Sequence, residues 1–179
     1  MSTYAVAVDG RDRPGIAAAV VDALYESRAN IEDSRMSILG GHFAMMLVVS
    51  MDDGVSADGL NAELEKVRVA MGLEHALATM IEDAGDDARP APTHVLTVYG
   101  ADHPGIVAAV CDALATRAVN IDDLATRVVG SRDQPVYTLI CELTLPGDLE
   151  PTALSADLDG VALAQGVEVS LRELDQDIL

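Results

Sequence analysis

The stretch Asp12-Arg13-Pro14-Gly15-Ile16 decides the fold, because it returns in the second half of the chain as Asp102-His103-Pro104-Gly105-Ile106. Asn30-Ile31 returns as Asn120-Ile121 at the same spacing of ninety residues, 14 to 104 and 30 to 120. Two copies are too few for a stacked solenoid, and this period is long enough for a small domain. The sequence therefore predicts a tandem duplication of one module.

Each copy predicts the element order β-α-β-β-α-β. In the first copy a short strand over 3–8 ends at Asp9-Gly10, and a helix begins at Pro14, whose fixed φ suits a first helical position. From Asn30 the pattern alternates with period two, and Gly40-Gly41 predicts a tight hairpin before a strand over 43–51. A second helix, with Ser56 as its N-cap, and a last strand over 73–81 complete the module.

The second copy repeats this order with four extra residues. They fall between Gly130 and Pro135, which we assign to the hairpin loop because an insertion costs least there. We expect module 1 over 1–82, a linker over 83–92, module 2 over 93–174 and an acidic tail over 175–179. These boundaries place one whole β-α-β-β-α-β unit on each side of the linker.

The predicted fold class is α+β, with two ferredoxin-like βαββαβ modules. Each is a four-stranded antiparallel sheet with two helices on one face, because the crossovers are right-handed. The strand over 43–51 is apolar on both sides, so the open sheet face would expose Ala44, Met46 and Val48. We expect the second module or a second chain to cover this face, and hence a homo-oligomer, most simply a dimer.

Composition excludes several classes of function. Thirty acidic against eleven basic residues give a net charge of −19, which disfavours direct binding to nucleic acid. No secretory leader or membrane span is expected, and Cys111 and Cys141 lack a CxxC spacing, so we expect reduced thiols in a cytoplasmic protein. The four histidines have no metal-ligand spacing and are expected at the surface, and no cofactor or metal is predicted.

The repeated motif resembles the ACT domain, in which Asp-x-Pro-Gly precedes the first helix and Asn-Ile begins the second strand. The resemblance implies small amino-acid-sensing modules, with the ligand lodged between paired domains at these two places. With no room for a catalytic domain, the chain is most similar to the glycine cleavage system transcriptional repressor group. This similarity implies a non-enzymatic regulator that binds a small amino acid, with glycine as one candidate, and controls a partner protein, with a role in transcriptional regulation of amino-acid metabolism.

The physical chemistry of both places suits an amino acid. A loop that enters a helix presents unpaired N–H groups to a carboxylate, and a glycine allows close approach. An asparagine amide both donates and accepts hydrogen bonds, and we expect Asn30 and Asn120 to adjoin these loops from the start of the next strand. The candidate ligand-binding residues are the matching positions of the two copies: Asp12, Arg13, Pro14, Gly15, Ile16, Asn30 and Ile31, then Asp102, His103, Pro104, Gly105, Ile106, Asn120 and Ile121.

Other interpretations of the same residues stay open. Asp12 can simply cap the helix and Asn30 can bridge a turn, which would leave a structural interaction module without a ligand. An acylphosphatase-like hydrolase would use Arg11 and Arg13, although the second copy keeps neither arginine. RNA recognition is disfavoured by the charge and by the scarcity of aromatic residues. Since His103 replaces Arg13, we expect the first copy to bind an anionic group more strongly.

Overall fold

The computed structural model describes residues 1–52, 57–81, 90–131 and 134–174. The chain divides into two compact units, Met1–Ala88 and Arg89–Leu179. The finer boundaries predicted above remain predictions, since Ser56, most of the linker and the tail over 175–179 lie outside the described residues. No helix in the described ranges is both long enough and apolar enough to cross a membrane.

Each unit contains four strands and two helices in the predicted order. The first unit comprises β1 (Ser2–Arg11), α1 (Ile16–Glu26), β2 (Asn30–Leu39), β3 (His42–Met51), α2 (Ala57–Met71) and β4 (His75–Ile81). The second comprises β5 (His94–Ala101), α3 (Ile106–Thr116), β6 (Asn120–Ser131), β7 (Gln134–Thr144), α4 (Pro151–Gln165) and β8 (Val167–Glu173). The sheet orders are β2-β3-β1-β4 and β6-β7-β5-β8, and every pair is antiparallel. The predicted fold class is confirmed.

Each unit has its own core between one sheet face and its two helices. In the first unit, alternate residues of β1 pack against the apolar stripe of α1 and against Leu60 and Leu64 of α2. The second core is built in the same way around Leu96, Val98 and Leu154. On the opposite face of the first sheet, Ala44 is exposed, Met46 is 59% exposed and Val48 is half-buried.

Gly10 does not end β1, so this part of the sequence prediction is wrong. The strand continues through Gly10 to Arg11, and the entry to β4 passes directly over the glycine. A Cβ on Gly10 would lie 2.9 Å from Leu73 Cα, and one on Gly100 would lie 2.7 Å from Val167 Cγ1. These glycines therefore permit a close backbone approach, which is a common reason for glycine inside a strand.

The helices α1 and α3 begin later than predicted. The N-cap is Gly15, in the left-handed region at φ +96°, and Pro14 precedes it outside the helix. Gly105 caps α3 in the same way at φ +106°. A residue with a Cβ rarely adopts this conformation, so the repeated glycine is required by the backbone itself.

Two of the four extra residues of the second module, Ser131 and Gln134, lie in strands, which corrects their assignment to a loop; residues 132 and 133 lie outside the described residues. The β2–β3 hairpin closes at the pair Leu39 and His42, whereas the β6–β7 hairpin continues through Gly130–Pro135 to Ser131–Gln134. The insertion therefore lengthens both strands of the ribbon.

We expect Gly10→Ala to destabilise the first module by about 1–3 kcal/mol, because its methyl group would overlap the backbone at Leu73. The matched control is Gly160→Ala in α4, where a Cβ meets nothing within 4 Å. Alanine there should stabilise the helix by about 0.5–1 kcal/mol. Urea unfolding of both variants measures the difference, and equal stabilities would contradict the close-approach argument.

Candidate functional site

The first predicted place is the loop from Asp12 to Gly15 at the start of α1. These residues are exposed, while Ile16 is buried in the core. The backbone N–H of Asp12 donates to the Gly41 carbonyl at 2.9 Å, which ties the loop to the hairpin turn. No side chain caps α1, so the interpretation of Asp12 as a helix cap is wrong. The N–H groups of the first turn are left to solvent or a ligand.

The matching loop of the second module has the same arrangement. Asp102, Pro104 and Gly105 are exposed, Ile106 is buried, and α3 also begins without a side-chain cap. The two modules thus present the same uncapped helix start.

Arg13 and His103 bond to the end of the second helix of their modules. Arg13 Nη2 donates to the Ala70 carbonyl at 2.7 Å and contacts Met71 Sδ at 3.5 Å. His103 Nε2 lies 2.8 Å from the Gln165 carbonyl, and its Nδ1 lies 3.1 Å from the Pro104 carbonyl. A cation at this position complements the last carbonyls and the negative end of the helix dipole. The structure therefore gives both side chains a common role at a helix end.

The two carbonyls raise the pKa of His103, since the Gln165 and Pro104 bonds both favour the protonated ring. A pKa raised in the folded state gives stability that is complete below the unfolded value near 6.5 and lost as pH rises through the folded value. His103→Arg keeps the cation at every pH in this range. We therefore expect the melting temperature of the variant to exceed that of the parent increasingly between pH 6 and 8.5. A constant difference across this range would contradict the role of the imidazolium.

The second predicted place, Asn30-Ile31, lies at the opposite end of the sheet from the loop of its own module. Arg11, which leads into the loop, pairs with His42, whereas Asn30 pairs with Ser50. These pairs are eight residues apart along β3, about 27 Å at the rise of an antiparallel strand. The loop and the asparagine of one module therefore do not meet around one small molecule, contrary to the expectation that they adjoin.

Asn30 is held by a carboxylate that the sequence prediction missed. Its Nδ2 donates to Glu32 Oε1 at 2.9 Å, and Ser50 Oγ donates to the same oxygen at 2.5 Å. These bonds, from Ser50 first and Asn30 second, lower the pKa of Glu32. Glu32 is the extra residue of a bulge, because Ile31 pairs with Val49 and Asp33 with the next residue, Val48. Bulges of this kind redirect a side chain.

The second module repeats this network with different residues. Asn120 Nδ2 donates to Asp122 Oδ1 at 2.5 Å, and Thr144 Oγ1 donates to Asp122 Oδ2 at 2.7 Å. Asp122 is again the extra residue of a bulge, between Ile121 and Asp123. Ile121 packs against the second core, whereas Ile31 is 38% exposed. An alignment of the two halves brings Glu32 to Asp122 and Ser50 to Thr144, so this signal was present in the sequence.

An open cavity of about 540 Å³ lies beside Asn30, where α1 ends and β2 begins. It is lined by Tyr25, Glu26, Arg28, Ala29 and Asn30. Arg28 is exposed and adopts a left-handed φ of 54°, which is uncommon for a residue other than glycine. Comparison of the two copies does not identify Arg28 as a candidate, because Ala118 occupies the matching position, with a φ of 53°.

In the part of the chain that the structure describes, no three His, Cys, Asp or Glu side chains are grouped closely enough to hold a metal ion.

His94 is buried, with its Nδ1 2.9 Å from Thr93 Oγ1, so its predicted surface position is wrong. Cys111 and Cys141 are free thiols, and burial raises the pKa of Cys141 to about 11. Cys141 is therefore protonated and unreactive at neutral pH.

Comparison with known proteins places this geometry in a family. A family model described as the ACT domain matches residues 3–77. A UPF0237 protein of Methanopyrus kandleri is 39% identical over 75 residues, which are 41% of this chain and 83% of that protein. A second, from Methanocaldococcus jannaschii, is 37% identical over 75 residues with the same coverage.

Two solved structures resemble nearly the whole chain. A protein of unknown function from Galdieria sulphuraria has a TM-score of 0.83 and 28% identity, covering 97% of this chain and 99% of its own. A proposed glycine cleavage system transcriptional repressor has a TM-score of 0.66 and 20% identity, covering 98% of both chains. At that identity the second likeness shows the fold alone. By the match of its first module and the identity to its relatives, the chain belongs to the ACT domain family.

Proposed function

We propose that this chain is a non-enzymatic amino-acid sensor that binds a small amino acid and controls a partner protein. Membership of the ACT family supports a regulatory, ligand-sensing role. The observation that carries the proposal is the cavity that Arg28 and Asn30 line together. A guanidinium pairs well with a carboxylate, and an amide oxygen accepts from an ammonium group. These are the two charged groups that every amino acid carries.

The regulated process is proposed from the resemblance to the glycine cleavage repressor group. It would make the chain a cytoplasmic regulator of amino-acid metabolism, with glycine as one candidate ligand. A net charge of −19 opposes direct contact with DNA, so control would act through a protein partner. We also propose a homo-oligomer, most simply a dimer, because the first sheet exposes Ala44 and Met46. A monomer in sedimentation at micromolar concentration would oppose the dimer.

The loops at Gly15 and Gly105 remain predicted ligand contacts that a valine substitution cannot test cleanly. Both glycines have a left-handed φ, so a side chain strains the start of the helix even without a ligand. The asparagines lack this complication. We therefore place the tests of ligand binding on Arg28, Asn30 and Asn120.

The experiment is a thermal-shift screen of the twenty amino acids at millimolar concentration. A molecule that binds only the native state raises the melting temperature by mass action. We expect one or more small amino acids to raise it, and Asn30→Ala to reduce the rise. If no amino acid changes the melting temperature, the sensor function is wrong and a module without a ligand becomes the better interpretation.

A further inference from the structure

A carboxylate beside the asparagine is a polar feature that both modules share. The side chains of Glu32 and Asp122 differ in length. Glu32 accepts both hydrogen bonds on Oε1, whereas Asp122 accepts one hydrogen bond on each of its two oxygens. The arrangement is nevertheless the same in both modules. An asparagine amide and a hydroxyl from the neighbouring strand both donate to a carboxylate at a bulge.

This arrangement fixes which end of the asparagine amide points away from the network. An ionised carboxylate accepts hydrogen bonds and cannot donate one, so it must face the NH₂ group. Turning the amide over would set its carbonyl oxygen against the carboxylate oxygen. The carbonyl oxygens of Asn30 and Asn120 are therefore held away from the acid, as acceptors. Glu32 is ionised at neutral pH like any exposed glutamate, and the bonds from Ser50 and Asn30 lower its pKa further.

We propose that Glu32 and Asp122 are positioning residues that hold the carbonyl oxygens of Asn30 and Asn120 toward a ligand, so that each site selects a molecule with an ammonium group over the same acid without one. This inference rests on the proposed amino-acid sensor. It adds two residues that determine specificity without touching the ligand. Ser50 and Thr144 hold the two carboxylates in place by their hydroxyl groups.

The first experiment reads the orientation of the amide without any ligand. In a ¹⁵N NMR spectrum, the side-chain NH₂ signals of Asn30 should report the bond to Glu32 as a large splitting between the two protons. Glu32→Ala should reduce this splitting to that of a solvated asparagine amide, whose two protons already differ because the C–N bond rotates slowly. The matched control is Glu74→Ala, which removes an exposed carboxylate near His42, at the other end of the sheet. Unchanged Asn30 signals in Glu32→Ala would overturn the positioning role.

The second experiment reads selectivity in the whole chain. The probes are glycine against acetate, and L-alanine against propionate, which differ only by the amino group. We expect the parent to prefer each amino acid at least tenfold, and Glu32→Ala combined with Asp122→Ala to lower this preference below threefold. Glu32→Asp should retain it, because the second module uses aspartate at this position.

The outcomes separate the two proposals. If no amino acid raises the melting temperature of the parent, the proposed function is wrong and the ligand-facing role is lost with it. If amino acids bind but the double variant keeps the parent's preference for them over the plain acids, the sensor stands and the positioning role is overturned. An equal loss of amino acid and plain acid would also overturn it, since a merely structural carboxylate would have that effect.

Discussion

Leu60→Ala is expected to destabilise the first module by about 2–5 kcal/mol while leaving the second module unchanged. Leu60 is fully buried among residues of the first core, and alanine would leave a cavity that the packed neighbours fill only in part. The two cores share no residue. Since a module of this size is stable by about 4–12 kcal/mol in total, the loss should be a large fraction of the whole.

Hydrogen exchange read by mass spectrometry measures this effect separately in peptides of each module. Leu154→Ala is the matched variant, because Leu154 is equally buried at the corresponding position of the second core. Leu163→Ala is the surface control, since Leu163 is 87% exposed and its truncation should change stability by less than about 0.5 kcal/mol. Equal acceleration of exchange in both modules by Leu60→Ala would show that the cores unfold together.

The sequence was sufficient to predict the fold because its determinants are local and appear twice. Helix stripes such as Ile16, Val20 and Leu24 have a period close to that of a helix, and they fill the core as expected. In the strands, apolar residues alternate with polar ones, and this alternation predicts which face of each sheet is buried. The duplication then fixes the number of modules, which a single copy of these patterns would leave open.

The errors concern features set by distant parts of the chain. The local pattern around Gly10 predicts a turn, but the glycine instead allows close approach of the backbone at Leu73, more than sixty residues later in the sequence. The insertion before Pro135 predicts a longer loop, because loops accept insertions at little cost in stability, yet both strands lengthen together. Cross-strand pairing of this kind is invisible to a local pattern.

The sequence predicts candidate residues such as Gly15 and Asn30, but it does not predict how they are arranged. The motif joins Gly15 and Asn30 in sequence, whereas the sheet separates them by the length of β3. Glu32 is not among the residues identical in the two copies, since its counterpart is an aspartate. Arg28 is not among them either, because the second copy has an alanine there. Asymmetry between copies can thus carry function that repetition does not reveal.

Arg28→Ala is expected to weaken binding of glycine or L-alanine by about 10- to 150-fold, because a hydrogen bond to a charged group contributes about 1.5–3 kcal/mol. Arg28 lines the same cavity as Asn30 and would face the ligand carboxylate. The backbone should tolerate the change, since Ala118 adopts the same left-handed φ at the matching position. The melting temperature without ligand should therefore stay close to that of the parent.

Arg13→Ala is the matched control, and isothermal calorimetry on both variants decides between the two ends of the module. Arg13 bonds to the Ala70 carbonyl at the end of α2, so its loss should lower stability and leave affinity unchanged. The opposite result, with affinity lost in Arg13→Ala and kept in Arg28→Ala, would assign the ligand carboxylate to the loop before α1. Because β3 separates the two arginines, one substitution cannot act directly on the other site, and each outcome identifies a single end of the sheet.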